Sequence, residues 1–304
     1  MILTASDYYK KYDAVVSSLS EALAKIQAVE AEAVNRGLRV FWRGQIDHRW
    51  GLTSSLVRQV SEVTTPTDKL LNSVEDSILK DGNDWITELS DRLYTEPLAC
   101  LAYMQHHGIP TRLVDFTRDA WMAVFFAVET PDDVDGRLFA LLVGPDDVLT
   151  TTPAGTPWRS WKTNEIRIWD PVACKIEFPR ISAQHGVFAL GRLPSTRPHR
   201  IVWDDVLQKE RSLLAEEVRR MLSIPFKLCS SDPIPARAAS PIGITFRLHV
   251  DKESVRRDLS KAGSGRRACP AVNPISHRNV YPDADGMRTH SKLLQGLEKG
   301  MIIV

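Results

Sequence analysis

The first candidate for chemistry is an arginine directly before a glycine, in the segment Phe41-Trp42-Arg43-Gly44-Gln45. The guanidinium group is planar and permanently charged, and a glycine beside it lets a ligand approach the backbone, an arrangement that suits a phosphate. We therefore predict that Arg43 binds phosphate, with Gly44 and Gln45 beside it. The alternative is that Arg43 pairs with a buried carboxylate such as Asp115 and ties two elements together.

A second group of polar side chains lies between two apolar stretches and comprises His106, Thr111, Arg112, Asp115 and Thr117. Burying such groups is unfavourable unless they are hydrogen-bonded. In one satisfied arrangement the group is structural: Asp115 accepts hydrogen bonds and Thr117 caps the next helix. In the other, His106 and Arg112 face a ligand.

A third candidate is Gln184, which lies close to Gly186. Its amide both donates and accepts hydrogen bonds, which suits a ribose hydroxyl or the edge of a base. The alternative is a buried amide that bridges two strands, and His185 can equally face solvent.

Helices and strands alternate around these residues. Apolar spacing predicts an amphipathic N-terminal helix from Ser6 to Val34 that Gly37 ends. The polar and charged composition of residues 64–84 predicts a surface segment with a helix from Asp68. Residues 229–242 are rich in proline, serine and alanine, which predicts a loop. Strands are predicted at 38–43, 138–143, 166–169, 187–190 and 245–250. Further helices are predicted at 98–107, 120–128 and 254–262, and Thr117 or Asp119 caps the second of these. This order favours an α+β fold.

The composition is that of a globular protein with a sizeable core, since 43% of the 304 residues are hydrophobic and 25% are charged. The 39 basic and 38 acidic residues nearly cancel, so any contact with nucleic acid must be local. No apolar run approaches the roughly 18 residues of a membrane helix, and the N-terminus has no signal-peptide pattern. Four cysteines without C-x-x-C spacing indicate no zinc site and no disulfide framework. We expect a cytoplasmic protein that contacts no membrane and holds no metal.

Two segments mix basic and aromatic residues, namely Trp158 to Lys162 and Arg192 to Arg200. Such a mixture can hold a single nucleic-acid strand by stacking and phosphate contact. The alternative is that both segments are solvated loops.

Three segments of the chain resemble the signatures of the FRG-domain family, which is named for Phe-Arg-Gly. Residues 41–45, with Trp50-Gly51-Leu52 and Arg58, are similar to F/Y-R-G-Q…W-x-L…R with Trp42 inserted. Residues 105–117, with Ala123-x-x-Phe126-Ala127, resemble Q-H-x-G-x-P-T-R-L-L-D-W-T…A-x-x-F-A. Residues 180–188 resemble R-x-x-A-Q-x-G-x-F. With a weaker match at residues 281–286, the resemblance covers about residues 38–290, which favours one domain over 38–304 and an N-terminal helix, residues 1–37, that packs on it.

The order of these signatures is also similar to that of the ADP-ribosyltransferase superfamily. The resemblance implies one α+β domain with a mixed or antiparallel β core, NAD as substrate, and transfer of ADP-ribose to a protein or nucleic acid (RNA or DNA). It also implies a toxin or phage-defence role with an antitoxin as partner. The implied catalytic residues are Arg43, Asp115, Thr117 and Gln184, and the implied NAD-binding residues are Arg43, Gly44, Gln45, His106, Thr111 and Arg112.

The chain departs from the superfamily pattern where a catalytic glutamate is expected, because Gln184 and His185 occupy that region. Glu165, Glu177 and Asp115 are acidic residues that can take its place, and spacing does not choose between them. Without such a residue, the domain is a non-catalytic module that binds a nucleotide or nucleic acid. A structural domain with no ligand is the third hypothesis.

Overall fold

The computed structural model describes residues 4–85, 96–130, 133–176, 178–194, 201–204, 207–231, 234, 241–261, 274–283 and 287. The strands in this part are β1 (Ala14–Val16), β2 (Arg39–Gln45), β3 (Val114–Thr117), β4 (Gly136–Val143), β5 (Val148–Leu149), β6 (Ile166–Trp169), β7 (Gly186–Gly191), β8 (Ile201–Asp204), β9 (Lys209–Ser212), β10 (Lys227–Leu228) and β11 (Ile242–Leu248). The α-helices are α1 (Ala5–Tyr9), α2 (Leu19–Asn35), α3 (Ser55–Val63), α4 (Asp68–Trp85), α5 (Pro97–His106), α6 (Ala120–Ala127), α7 (Pro179–Ala183), α8 (Ala215–Met221), α9 (Lys252–Ser260) and α10 (His277–Val280).

Most strands form one mixed sheet in the order β1, β11, β4, β2, β3, β7, β6, β5, and β10 also pairs with β11. The pairs β1–β11, β10–β11 and β5–β6 are parallel, and the other neighbours in the sheet are antiparallel. Strands β8 and β9 form a separate antiparallel pair. The predicted α+β class with a mixed β core is therefore confirmed. Within the described residues, no helix is both long and apolar enough to cross a bilayer.

Apolar side chains cover both faces of the sheet. Because consecutive residues of a strand point to opposite faces, the neighbours Phe41 and Trp42 of β2 enter different clusters. Trp42 packs in a cluster with residues of α2, α6 and α9. Phe41 packs with Tyr9 of α1 and Met221 of α8. The strand that carries Arg43 is thus fixed from both sides.

The N-terminal region differs from the single helix that we predicted for residues 6–34. It contains α1, then β1, and then α2, which Ser18 caps by accepting a hydrogen bond from the Glu21 amide at 3.1 Å. Strand β1 pairs with β11 at the edge of the main sheet, and the Tyr9 ring packs edge-on against Phe139 at 5.3 Å. Distant partners therefore override the helical spacing in residues 6–16.

The predicted elements around the three signatures are confirmed, with shifts of a few residues at their ends. Helix α5 stops before Gly108, whose φ of 82° is unfavourable for other residues. Helix α6 is capped by Asp119, whose carboxylate accepts from the Trp121 amide at 2.8 Å. Strand β6 has the predicted bounds, and β4, β7, β11 and α9 overlap the predicted ranges.

The prediction of a surface segment at residues 64–84 is wrong in part. Helix α4 begins at Asp68, as predicted, but Leu71 and Glu75 are fully buried. The buried face of α4 was not predicted because its central residue, Glu75, is charged, which leaves the apolar periodicity of the segment weak. The predicted loop at 229–242 lies largely outside the described residues.

Candidate functional site

A cleft of about 840 Å³ contains residues from all three signatures. Its volume lies within the roughly 300–1,000 Å³ that ligand pockets occupy. The signature residues that line it are Arg43, Gly44, Gln45, Gln105, His106, Asp115, Thr117, Arg180, Gln184 and Gly186. The fold therefore brings together polar residues that are far apart in the sequence.

The cleft forms where two neighbouring strands of the sheet separate. Strand β2 pairs with β4 along its whole length, from Arg39 to Gln45. It pairs with β3 through Trp42 and Thr117 alone, although both strands are fully described. Beyond that pair the strands diverge, so Arg43 and Gly44 face a gap in the sheet with Asp115 on its other side.

Arg43 spans this gap. Its Nη1 donates a hydrogen bond to the backbone oxygen of Asp115 at 2.7 Å and lies 3.4 Å from Oδ2 of the same residue. The pairing that the sequence left as an alternative is thus present, but it is open to solvent, since the Asp115 side chain is 61% exposed. The Nε of Arg43 has no hydrogen-bond partner within the described part of the chain. This Nε is buried, so it does not by itself offer a donor to the cleft.

Gly44 is required by helix packing. A Cβ atom at this position would overlap the carbonyl oxygen of Ala123 and the amide nitrogen of Ala127. Its absence lets α6 lie directly on β2. The Arg-Gly signature therefore has a structural reason besides the close approach of a ligand that we predicted.

Arg58 places a second guanidinium group at the same end of the cleft. Its Nη1 donates to the backbone oxygen of Thr53 at 2.6 Å. Burial and the positive charge of Arg43 lower the pKa of Arg58 below its usual range. Both arginines also line an adjoining cavity of about 210 Å³. Like charges held together repel, so an anion bound between them would be stabilised.

Thr111 is buried and is not among the residues that line either cavity. Its hydroxyl donates to Oε1 of Gln105, and Nε2 of Gln105 donates to Oδ1 of Asp115 at 2.6 Å. The predicted NAD contact by Thr111 does not fit this position. Thr111 instead orients Gln105, which does reach the cleft.

Arg112 also lies away from the cleft, which corrects our hypothesis that it faces a ligand. Its Nε pairs with Oε1 of Glu75, and its Nη2 donates to Oδ1 of Asn72 at 2.6 Å. The side chains of Arg112 and Glu75 are 3% and 0% exposed. Trp158 donates to the second carboxylate oxygen of Glu75 at 3.3 Å. Arg112 therefore has a structural role.

Thr117 and Gln184 meet at the base of the cleft. The Thr117 hydroxyl donates to the backbone oxygen of Gln184 at 2.7 Å and accepts from the Asp119 amide at 3.0 Å. Nε2 of Gln184 donates to the backbone oxygen of Val280 at 3.3 Å. Gln184 thus lines the cleft and joins it to α10, so it is not the buried amide between two strands of the second alternative, and its contact with a ligand stays a prediction. His185 is exposed, with a φ of 48°.

A network of charged groups closes another side of the cleft. Arg180 makes two hydrogen bonds to the Asp283 carboxylate at 2.7 and 2.6 Å. His106 lines the cleft, and its Nε2 lies 3.6 Å from the same carboxylate. The guanidinium carbon of Arg180 lies 5.4 Å from the centre of the Tyr281 ring. Residues 281–283 are therefore held against the second and third signatures.

Glu129 is a cleft residue that the sequence analysis missed. It follows α6 and lines the cleft, and its Oε1 accepts a hydrogen bond from the Tyr281 hydroxyl at 2.8 Å. Burial raises the pKa of the Glu129 carboxyl, although the Tyr281 hydrogen bond and the charge of Arg256 act in the opposite direction. Burial also raises the pKa of Tyr281. The sequence feature that could have pointed to Glu129 is the apolar run of α6, because a carboxylate that directly follows a buried helix is held close to the core.

The other acidic candidates differ from Glu129 in position. Glu165 does not line the cleft, and its carboxylate accepts from the Lys162 amide at 3.0 Å. Glu177 lies outside the described residues. Asp115 lines the cleft but already accepts hydrogen bonds from Gln105 and Arg43.

The first predicted nucleic-acid segment is not exposed as we expected, and most of the second lies outside the described residues. Trp158 is fully buried, and Arg159 pairs with Asp76 at 2.8 Å, so this segment packs on α4. Arg192 pairs with Asp68 at 3.1 Å. Residues 195–200 lie outside the described part.

Comparison with known proteins gives one match. Residues 38–136, from the start of β2 to the start of β4, match the FRG domain. No curated protein and no solved structure matched the chain. The matched segment contains the first two signatures and ends before the third, so it is shorter than the resemblance over residues 38–290. The region that supplies Arg43, Gln105, Asp115 and Thr117 to the cleft is therefore similar to the FRG domain, and the match supports a place in that family.

Proposed function

We propose that this cleft binds NAD and that the protein transfers ADP-ribose from it to a macromolecule. The observation that carries the proposal is the pair of neighbouring guanidinium groups, Arg43 and Arg58, in a cleft large enough for a dinucleotide. NAD carries two linked phosphates. Two adjacent guanidinium groups match such a ligand because each can donate to phosphate oxygens in a planar fork.

The charges around the cleft also favour an anion. Five arginines and two carboxylates line it. Arg49 is paired with Asp47 at 2.6 Å, and Arg180 is paired with Asp283. Within the described part of the chain, Arg58 and Arg220 have no carboxylate within ion-pair distance, so they supply the excess of positive charge.

The reaction itself requires more than phosphate binding. When the bond between nicotinamide and ribose breaks, positive charge develops on the ribose, and a carboxylate or an oriented oxygen stabilises it. Glu129 and Asp115 are the carboxylates that line the cleft. Gln184, Phe126 and Tyr281 line the cleft. Under this proposal, Gln184 contacts ribose hydroxyls, and the rings of Phe126 and Tyr281 contact a base.

The acceptor is a protein or a nucleic acid under this proposal. Trp50 lines the cleft, and 51% of it is exposed. Exposed Arg49 and Arg220 line the same cleft. An exposed indole with nearby guanidinium groups suits a stacked base and its phosphates, so Trp50 takes the place that we first gave to Trp158. An antitoxin partner stays a prediction.

The test is transfer of label from NAD labelled in its adenylate half to macromolecules of a cell extract, with release of nicotinamide measured in parallel. We expect wild type to transfer label, and Arg43→Ala and Arg58→Ala to lose most of it while staying folded. Arg167→Ala is the matched control because Arg167 is also a partly exposed arginine paired with an aspartate, Asp147, but does not line the cleft.

The outcome also separates the alternatives. Absence of both label and nicotinamide release from folded wild type contradicts the proposal. If calorimetry then shows that NAD or ADP-ribose binds without being consumed, the domain is a binding module. If neither binds, the domain is structural.

A further inference from the structure

We propose that Glu129 is the catalytic carboxylate of this cleft and that Tyr281 is its positioning residue. This inference rests on the proposed function, because it names the group that acts in the transfer of ADP-ribose. It places the acid on the segment that follows α6 and not on the late strand where the superfamily resemblance led us to expect one.

The backbone that leads to Glu129 is fixed against the sheet at two points. Gly44 of β2 lies against Ala123 and Ala127, and Gly136 of β4 lies against the carbonyl oxygen of Ala127. A side chain at either glycine would overlap these atoms. The C-terminal end of α6 is therefore held to the same strand that carries Arg43, which keeps Glu129 and Arg43 in one cleft.

The carboxylate is held on one side and open on the other. Oε1 accepts from the Tyr281 hydroxyl at 2.8 Å, and among the described residues Oε2 accepts no hydrogen bond. The Tyr281 ring packs edge-on against Phe126 at 6.4 Å and lies under the Arg180 guanidinium, which Asp283 holds. Tyr281 thus fixes one oxygen and leaves the other available to a substrate.

The other cleft carboxylate is less suited to this task. Both oxygens of Asp115 have donors, Oδ1 from Gln105 and Oδ2 from Arg43, and its side chain is 61% exposed. Glu129 is more enclosed, and burial raises the pKa of its carboxyl. A stronger base within reach of a reacting group removes a proton more readily. The charged groups that face it are Arg256 of α9 and, through Tyr281, Arg180 of α7.

The step is as follows. The bond between N1 of nicotinamide and C1′ of the ribose breaks, and its electron pair leaves with nicotinamide, which becomes neutral. A nucleophilic atom of the acceptor forms a bond to C1′, and its proton passes to Oε2 of Glu129. The ionised carboxylate stabilises the positive charge of the ribose before the transfer, and the proton returns to solvent afterwards.

The first experiment compares Glu129→Gln with wild type and with Glu165→Gln, a glutamate outside the cleft whose carboxylate accepts from a backbone amide. We expect Glu129→Gln to lower kcat for nicotinamide release by about 100-fold or more, the usual contribution of a general base. Its Kd for NAD, measured by calorimetry, should stay within about threefold of wild type because the cleft keeps its shape and its arginines. Glu165→Gln should behave as wild type.

The second experiment measures kcat/KM against pH for wild type and Tyr281→Phe. Activity should fall at low pH as Glu129 becomes protonated, at a pH above the range of an ordinary glutamate. The Tyr281 hydrogen bond lowers the pKa of Glu129, so its removal should shift this acidic limb to higher pH. A structural role for Tyr281 would lower activity without moving the limb.

The results distinguish the two proposals. If wild type releases nicotinamide and folded Glu129→Gln does so within about threefold, Glu129 is not the catalytic carboxylate and the proposed function stands. If wild type releases none, both proposals fail. If Glu129→Gln does not fold, the pH profiles decide, and an acidic limb that is the same in Tyr281→Phe and wild type overturns the assignment.

Discussion

Arg43 and Arg112 are both arginines of the FRG-like segment, and both were predicted to bind a ligand, yet their surroundings differ. Arg112 and its partner Glu75 are almost completely buried, with 3% and 0% of their side chains exposed. Arg43 is 18% exposed, and its partner Asp115 is 61% exposed. The first pair is sealed in the core between α4 and the second signature, whereas the second pair lies at the opening between β2 and β3.

The difference shows what a polar signature residue can contribute. A buried ion pair is tolerated when its remaining hydrogen-bond groups are satisfied, and Asn72, Trp158 and Arg159 satisfy the Arg112–Glu75 pair. A pair at a cleft can exchange its partner for a ligand at little cost, because solvent already screens it. We infer that Arg112 stabilises the fold of the signature segment, whereas Arg43 is available to bind a ligand at the cleft.

The largest expected effect is the loss of stability on breaking the sealed pair. Glu75→Ala should lower the free energy of unfolding by about 3–5 kcal/mol, because it leaves the Arg112 charge buried without a counterion. Urea denaturation followed by circular dichroism measures this. The paired variant Arg112→Met with Glu75→Leu should be more stable than Glu75→Ala, since it removes both charges. A double variant as unstable as Glu75→Ala would show that packing, and not the unpaired charge, dominates.

A smaller loss of stability is expected where α6 packs on β2, the strand that carries Arg43. Gly44→Ala should destabilise the protein by about 1–3 kcal/mol, because the added methyl group overlaps the α6 backbone and must push the helix away. Gly37→Ala is no matched control because Gly37 has a positive φ. Gly144→Ala is the better reference, because Gly144 has an ordinary φ of −63° and an added methyl group there would meet only the end of the Asp147 side chain, at 3.3 Å. Thermal unfolding measures both. Equal melting temperatures for Gly44→Ala and wild type would contradict the packing argument.

The smallest expected change in stability is at the open pair itself. Arg43→Met should alter the free energy of unfolding by less than about 1 kcal/mol, since partly exposed ion pairs contribute little. The same variant should weaken binding of ADP-ribose by at least tenfold in calorimetry, because it removes one of the two neighbouring guanidinium groups. A large loss of stability with unchanged binding would place Arg43 beside Arg112 as a structural residue and remove the contrast between the pairs.

The spacing of apolar residues and the turn residues correctly predicted those helices and strands that depend on neighbouring residues. Strand β2, helix α6 and the end of α5 before Gly108 depend on nearby residues, and the sequence located each of them, although it left the cap of α6 open between Thr117 and Asp119. The residues that the resemblance assigned to one site also line one cleft, apart from Thr111 and Arg112. Strand β1 was missed because three residues gain their stability from β11, which lies far along the chain.

The misplaced and missed site residues have a similar explanation. Glu129 belongs to no signature, and its environment depends on Tyr281, 152 residues later. Arg112 was assigned to the site from the polar cluster and the resemblance, and its actual partner, Glu75, lies in a segment that we took for surface. A side chain's charge is visible in the sequence, but the direction in which the fold points it is not.

The single bridge between β2 and β3 has a mechanical consequence. It divides the sheet into one half with β1, β11, β4 and β2 and another with β3, β7, β6 and β5. Within the sheet, few ladder hydrogen bonds cross this line, so the packing of Phe41, Phe116 and Val187 in one apolar cluster carries the connection between the two halves.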